Sequence, residues 1–318
     1  MISQFPQFQL LTSTTYPHVE SALRRFPPYS AFNPYGMWSW NTDGKLKICT
    51  LAGNMVFRFA NFLDGTLFYS FIGDNEPDLT AATLIRRSMA ERLEPALYLV
   101  PESVANCLDP AVFDRQEDPD HFDYILSVDA LCAFEGHPFA AKRAKLRKFL
   151  RRFGQAVFKI VDFDDPKVVQ DCKELFWNWW KAKHERTGLN YSREFEAFTR
   201  CIDARRKVDL FVAGVYVYGA LRAFCVCQIG QNGFAFGHFV KADTEGFPYI
   251  SVFLKHKVAQ ELATRGIKYL NIEQDLGIPG LRAEKMSYRP CHMLKKYVVR
   301  FSAMERTLAW GEMANAAA

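Results

Sequence analysis

Apolar and polar positions along the chain alternate with two periods, near two and near 3.6 residues, and the periods succeed one another in a repeated order. In the second half, Val157 to Val161 reads as a strand, and Val168 to Lys183 and Phe195 to Arg205 as helices. Val208 to Tyr218 and Ala220 to Ile229 form a hairpin around Tyr218-Gly219, followed by a strand from Phe234 to Val240. A helix over Ile250 to Thr264 closes at Arg265-Gly266, a glycine stop signal, before strands at Ile267 to Ile272 and Tyr297 to Phe301. The first half carries a looser version. A short strand at Gln7 to Thr12 precedes a helix at His18 to Arg25, which the Pro27-Pro28 pair ends. Strands at Lys45 to Thr50 and Met55 to Phe59 flank Gly53-Asn54, with Thr66 to Ile72 next. A helix at Thr80 to Arg92 and strands at Pro95 to Val100 and Tyr124 to Val128 complete it.

Strand, two helices, three antiparallel strands, helix, strand is the order of an acyltransferase of the GNAT type. The expected fold class is therefore α/β (α+β): tandem GNAT-like domains, each a mixed, mostly antiparallel sheet flanked by helices. The boundary is expected where Gly136-His137-Pro138 interrupts the pattern, giving domains 1–135 and 136–318. A length of 318 residues, with 49% hydrophobic and 24% charged, suits two globular domains and argues against long disorder. Leu210 to Leu221 is uncharged over twelve residues, well short of the roughly 20 a bilayer-spanning helix needs. The N-terminus has no signal-peptide pattern, so a cytoplasmic location is expected. None of the eight cysteines forms a CxxC pair, so no zinc knuckle is indicated and no metal site is expected.

Charge changes this picture at one place. Lys142, Arg143, Lys145, Arg147, Lys148, Arg151 and Arg152 fall within eleven residues without an acid, so against a total of +5 the rest of the chain is −2. Leu146, Phe149, Leu150 and Phe153 share one face of the helix predicted over 139–153, which leaves a ridge of cations on the others. Such a ridge fits a polyanion, whose counterions each Lys or Arg releases. A solvated surface helix is the plainer reading, but solvated helices ordinarily mix signs. Contact of the ridge with an anionic membrane surface stays open.

The second concentration of chemistry follows the strand that runs out at Ile272. Glu273 and Asp275 share parity there, and Arg282 and Lys285 lie three apart on a following helical turn. Ligands of open α/β sheets sit beyond the carboxyl ends of strands. Carboxylates facing cations at such an end position an amine and stabilise an oxyanion, or make a structural salt-bridged loop. His238, Lys241 and Asp243 end another strand, where a lone His is more often a satisfied half-buried residue than a base. Cys225 and Cys227 face one way and read as core, and the Trp177 to Trp180 cluster reads as core rather than as a base-stacking platform. No GxSxG, HExxH, P-loop or GxGxxG occurs, and Lys241 to Pro248, with one glycine and two acids, is a poor cradle for coenzyme A phosphates.

These residues resemble a known family. Gly136 through Lys142-Arg143 to Phe149, the segment His238-x-x-Lys241-Ala242-Asp243, and Asn271-x-Glu273-x-Asp275-x-Gly277-x-x-Gly280-Leu281-Arg282-x-x-Lys285-x-Ser287-Tyr288-x-Pro290 are similar to the C-terminal domain of phosphatidylglycerol lysyltransferase. The match spans residues 136 to 290, with Trp38-Ser39 as a faint further sign. The resemblance implies a tandem GNAT fold that takes an aminoacyl group from aminoacyl-tRNA, needs no metal or redox cofactor, and passes the group to a hydroxyl or amine. The acceptor it implies would be a lipid, a small molecule or a peptide. It also implies a site. Glu273 and Asp275 would hold the aminoacyl ammonium group, and Arg282 and Lys285 the oxyanion or terminal phosphates. Tyr288 would assist proton transfer, and Asn271, His238, Lys241 and Asp243 would bind substrate. The seven cations of residues 142–152 would bind the tRNA. An acyl-CoA-dependent N-acyltransferase and a non-catalytic RNA- or membrane-binding module are the alternatives.

Overall fold

A computed structural model of the chain describes residues 1–61, 64–187 and 192–316. In chain order its strands are β1 (Gln9–Leu10), β2 (Lys47–Leu51), β3 (Asn54–Ala60), β4 (Leu67–Ile72), β5 (Ala96–Pro101), β6 (Phe113–Glu117), β7 (Asp123–Ser127), β8 (Val157–Val161), β9 (Leu210–Val217), β10 (Ala220–Ile229), β11 (Phe234–Ala242), β12 (Tyr269–Asn271), β13 (His292–Leu294) and β14 (Lys296–Phe301). They form two seven-stranded sheets, ordered β1-β2-β3-β4-β5-β14-β6 and β13-β7-β12-β11-β10-β9-β8. Both sheets are mixed and mostly antiparallel, with β4 parallel to β5 in one and β11 parallel to β12 in the other.

The chain divides into two compact units, Met1–Phe122 with Leu294–Ala318, and Asp123–Met293. In each, an edge strand is followed by two helices, three antiparallel strands, a helix and a parallel strand, the order expected from the sequence. The division differs from the expected 135/136 boundary at both ends, and strand exchange is the reason. β7 pairs with β12, Leu126 opposite Leu270, so residues 123–135 build the second sheet. β14 lies between β5 and β6 and so returns the C-terminus to the first unit.

Local sequence explains the elements that shape the second unit. Tyr218 and Gly219 both have positive φ (54° and 80°), the turn that joins twisted strands β9 and β10. The helix Ile250–Thr264 ends at Gly266, whose φ of +73° turns the chain into β12. Beneath one face of the sheet, that helix packs with Cys225, Cys227, Ala235 and Ala242. The basic helix, Ala140–Arg152, joins this core through Phe149, whose ring lies 4.9 Å from that of Phe253. Helices Pro166–Thr187, here the aromatic helix, and Ser192–Asp203 cover the other face, where Phe198 meets Phe224 of β10 and Phe239 of β11. No helix among the described residues is long and apolar enough to cross a membrane.

Candidate active site

Strands β11 and β12 pair in parallel only from Phe234–Tyr269 to Phe236–Asn271, and β11 then runs on to Ala242 paired with β10 but not with β12. At the point of parting, β11 carries one extra residue against β10: Val226 faces Phe239 and Cys227 faces Gly237. The inserted residue is His238. Bulges of this kind re-aim a side chain. The His238 ring stacks on Phe236 and sits within hydrogen-bonding distance of Gln228 Oε1 (3.1 Å, Nε2) and Glu273 Oε1 (2.9 Å, Nδ1). The His238 side chain is 2% exposed and that of Glu273 24%, so a buried imidazole backs a carboxylate that reaches solvent.

Glu273 reaches this position through a left-handed backbone, φ 60°, which a non-glycine residue adopts at a cost of about 1–3 kcal/mol. Asn271 offsets the cost locally. Its Oδ1 accepts from Glu273 N at 2.7 Å, while its Nδ2 donates to buried Asp123 at 3.2 Å. The Glu273 carbonyl also accepts from Tyr124 N at 3.3 Å. Strand β7 thereby clamps the turn.

Asp275 does not stand beside Glu273 as a second open carboxylate. Its side chain is fully buried and takes a two-point contact from Arg282, at 2.8 and 2.9 Å, together with the Tyr124 hydroxyl and Gly277 N at 2.8 Å. Burial pushes the pKa of such a carboxyl up, but Arg282, Tyr124 and the Gly277 amide outweigh it and hold the group below the usual carboxylate range. Asp275 thus anchors Arg282, whose side chain stays 41% exposed, and its oxygens are not open to an ammonium group. Tyr124 is pushed up to about 12, by burial first and then by Asp275.

Lys285 is buried at the foot of the same helix, Pro279–Met286, and donates to the carbonyls of Ile272 and Gln274 (2.6 Å to the latter). Burial pushes its ammonium down to about 8, against the pull of Glu273 and Asp123. Lys285 therefore ties the helix to the turn bearing Glu273. Tyr288 lies in a different setting. It is buried, its hydroxyl has no partner among the described residues, and burial pushes it up to about 12. Its ring faces two ammonium groups, Lys142 Nζ at 3.3 Å and Lys255 Nζ at 4.3 Å. It is a platform for cations and makes no hydrogen bond to Glu273 or Arg282.

The remaining expected residues separate likewise. Lys241 is buried under Trp179, 3.7 Å from the ring centroid, and bonds Glu194 at 2.7 Å, so it locks the helices to β11. Asp243 Oδ1 accepts from Gly246 N at 2.9 Å and shapes the loop before helix Ile250–Thr264; a Cβ on Gly246 would stand 2.9 Å from Asp243 Oδ2. In the basic helix, Lys142 is buried and donates to Ser287 Oγ at 2.7 Å, with burial lowering it to about 8. Arg143 donates to the carbonyls of Phe134 and Gly136 (2.7 Å to the latter). These two hold the helix in place. Lys145, Arg147, Lys148, Arg151 and Arg152 are exposed, and the last three, with Pro248 and Tyr249, line a cavity of about 360 Å³.

Gln228, Asp123 and Tyr124 belong to the site but were not anticipated. Strand parity places Gln228 on the face opposite Cys225 and Cys227, yet local pattern cannot tell which polar strand residue meets which.

The sequence matches the family model "Phosphatidylglycerol lysyltransferase, C-terminal" over residues 62–300. No curated protein matches the chain. Among solved structures, a conserved protein of unknown function from Bacteroides thetaiotaomicron is 22% identical, with a TM-score of 0.80 over 95% of this chain and 100% of that one. L-PGS from Bacillus licheniformis is 13% identical, with a TM-score of 0.61 over 98% and 96%. FemX is 10% identical, with a TM-score of 0.60 over 95% and 98%. At these identities the likenesses establish a shared fold.

Proposed function

From the premise that this chain belongs to the phosphatidylglycerol lysyltransferase C-terminal family, we propose that it is an aminoacyltransferase that moves an aminoacyl group from aminoacyl-tRNA to a hydroxyl or amine acceptor. The observation that carries this reading is the Glu273–His238 pair, set where β11 and β12 part, with Arg282 held half-exposed by Asp275 on the helix that follows.

An aminoacyl ester is already activated, so the protein has only to orient it, accept a proton and stabilise negative charge. The acceptor's oxygen or nitrogen attacks the ester carbonyl carbon and gives its proton to the Glu273 carboxylate. The carbonyl oxygen becomes an oxyanion, which the Arg282 guanidinium faces. Collapse breaks the ester C–O bond, and the Glu273 carboxyl returns its proton to the departing ribose hydroxyl. His238, held by Gln228, keeps the carboxylate aimed. The five exposed cations of the basic helix meet the tRNA backbone, and the site needs no further cofactor for these steps.

The test is transfer of radiolabel from individually charged tRNAs into an RNase-resistant fraction of a cell extract supplying acceptors. Transfer of one kind of aminoacyl group is expected, and Glu273→Gln should slow it about 100-fold or more, the usual scale of general acid–base catalysis. Wild-type rates in that variant would remove Glu273 from the mechanism. No transfer from any charged tRNA by folded protein would overturn the reading itself and leave the acyl-CoA-dependent or binding-module alternatives.

A further inference from the structure

The tryptophans of the aromatic helix are not all in the core. Trp177 is 49% exposed. Its ring stacks on Trp180 with centroids 4.6 Å apart and planes 29° from parallel, and Trp180 stacks in turn on His184 at 5.5 Å and 7°. Spacings of three and four residues put the three rings on one stripe of the helix, where Lys173 and Lys181 also fall. Two of the acids on this helix are taken up locally, Asp171 by Lys167 and Glu174 by Gln170. The stripe is therefore a ladder of three roughly parallel rings with an open outer end and flanking cations.

Packing against the core does not require this arrangement. The same helix meets its apolar duty through Phe176, which is fully buried against Phe195 and Phe198. Trp177 touches Phe195 only edge-on, at 5.8 Å. An exposed indole held flat by a neighbouring stack presents a π-face at low conformational cost, and flat π-faces beside cations suit unpaired nucleobases whose phosphates run alongside. Duplex bases offer no such face.

The ladder also stands on the side of the sheet that serves the candidate site. Trp179 and Phe176 of this helix enclose Lys241 of β11, the strand that carries His238. Phe236 and Gln228, the neighbours of His238, alternate with Ala235 and Cys227 of the opposite core, so His238 faces the aromatic helix's side.

We infer that Trp177, Trp180 and His184 form a stacking platform for the unpaired nucleotides at the 3′ end of the RNA substrate, an inference that rests on the aminoacyl-tRNA reading above. The basic helix would then contact the duplex backbone while the ladder takes the single-stranded end. The two contributions differ in chemistry: the first is sequence-blind and salt-sensitive, and the second depends on exposed base faces.

Fluorescence anisotropy would measure full-length protein binding to two RNA hairpins copying an acceptor stem, one with its unpaired 3′ nucleotides and one blunt-ended. Wild type should prefer the overhang about tenfold, in keeping with one stacked base. Trp177→Ala should abolish the preference, leave blunt-end affinity unchanged and keep the melting temperature. Trp177→Phe should restore most of the preference. An undiminished preference in folded Trp177→Ala overturns the inference. So does a variant that keeps the preference but no longer binds phosphatidylglycerol–phosphatidylcholine vesicles, which would assign the ladder to a membrane surface. Wild type that transfers aminoacyl groups yet binds both hairpins equally refutes the ladder alone. Wild type that binds neither hairpin removes the tRNA reading and the ladder together.

Discussion

Removing the Asp275 carboxylate would release Arg282 and Tyr124 at once, because both bond the same buried group. Asp275→Asn should cost about 1–3 kcal/mol of stability near neutral pH, since it leaves donors short of an acceptor while Arg282 keeps partial access to water. The pH dependence has a definite sign. The folded carboxyl lies below its ordinary value, so the folded state holds on to fewer protons than the unfolded chain as pH falls through the carboxylate range. Its contribution is complete above about pH 4 and is lost as pH drops through the folded value. Urea midpoints measured from neutral pH downward should fall more steeply for wild type than for Asp275→Asn, and parallel curves would show that the pair does not stabilise the fold. Much of this residue-level chemistry was visible in the chain. The spacing of Glu273, Asp275, Arg282 and Lys285 already pointed to carboxylates beside cations at a strand end. The pairing was not visible: Tyr124 lies 151 positions from Asp275, and no periodicity announces that one carboxylate is consumed by its neighbours while the other stays open.

At the scale of elements, the basic helix shows what amphipathic spacing predicts well and what it conceals. A helix over 139–153 was expected and Ala140–Arg152 is observed, with Phe149 facing inward as its spacing requires. Strand Val157–Val161 and helix Ile250–Thr264 likewise fall where their periods put them. β6 was not foreseen, because Phe113–Glu117 is an edge strand with four exposed polar positions and no alternation to detect. The Trp177 to Trp180 cluster was assigned to the core because aromatic residues usually sit there; half-exposure of one ring is a tertiary fact. Nor does counting charges separate the two cations that hold the basic helix, Lys142 and Arg143, from the five that face water. That separation yields a prediction. Replacing Lys148, Arg151 and Arg152 with Ala should weaken hairpin RNA binding and flatten its salt dependence by about two to three log units per decade of salt if each contacts a phosphate. The melting temperature should change little, because these three side chains are exposed. An unchanged salt slope would place the polyanion surface elsewhere.

For the whole molecule, the exchange of strands decides which pieces can fold. The element order is duplicated, yet each sheet is completed by a strand from the other half of the sequence: β7 joins the second sheet and β14 the first. A sequence reading assigns domains as contiguous stretches, since hydrophobic period records that a strand is buried and not which strand it pairs with. The two divisions predict opposite outcomes for fragments. A chain of residues 136–318, the contiguous division, lacks β7, so β12 loses an antiparallel neighbour and the core loses Leu126, Val128 and Leu131, while β14 is left without β5 and β6. Several large apolar side chains removed together exceed the few kcal/mol by which a domain of this size is stable. A chain of residues 123–293 is shorter, but it retains the full strand set of the second sheet except Leu294, and it carries His238, Glu273, Asp275, Arg282 and Tyr124. Residues 123–293 should therefore express as a folded fragment with a single cooperative thermal transition, and 136–318 should not. The same two fragments test the site. Tyr124 holds both the Glu273 turn, through its backbone, and Asp275, through its hydroxyl, so the fragment that includes β7 is the one that keeps Arg282 anchored. A cooperative transition in 136–318 would show that β7 is dispensable to the second sheet and return the boundary to Gly136.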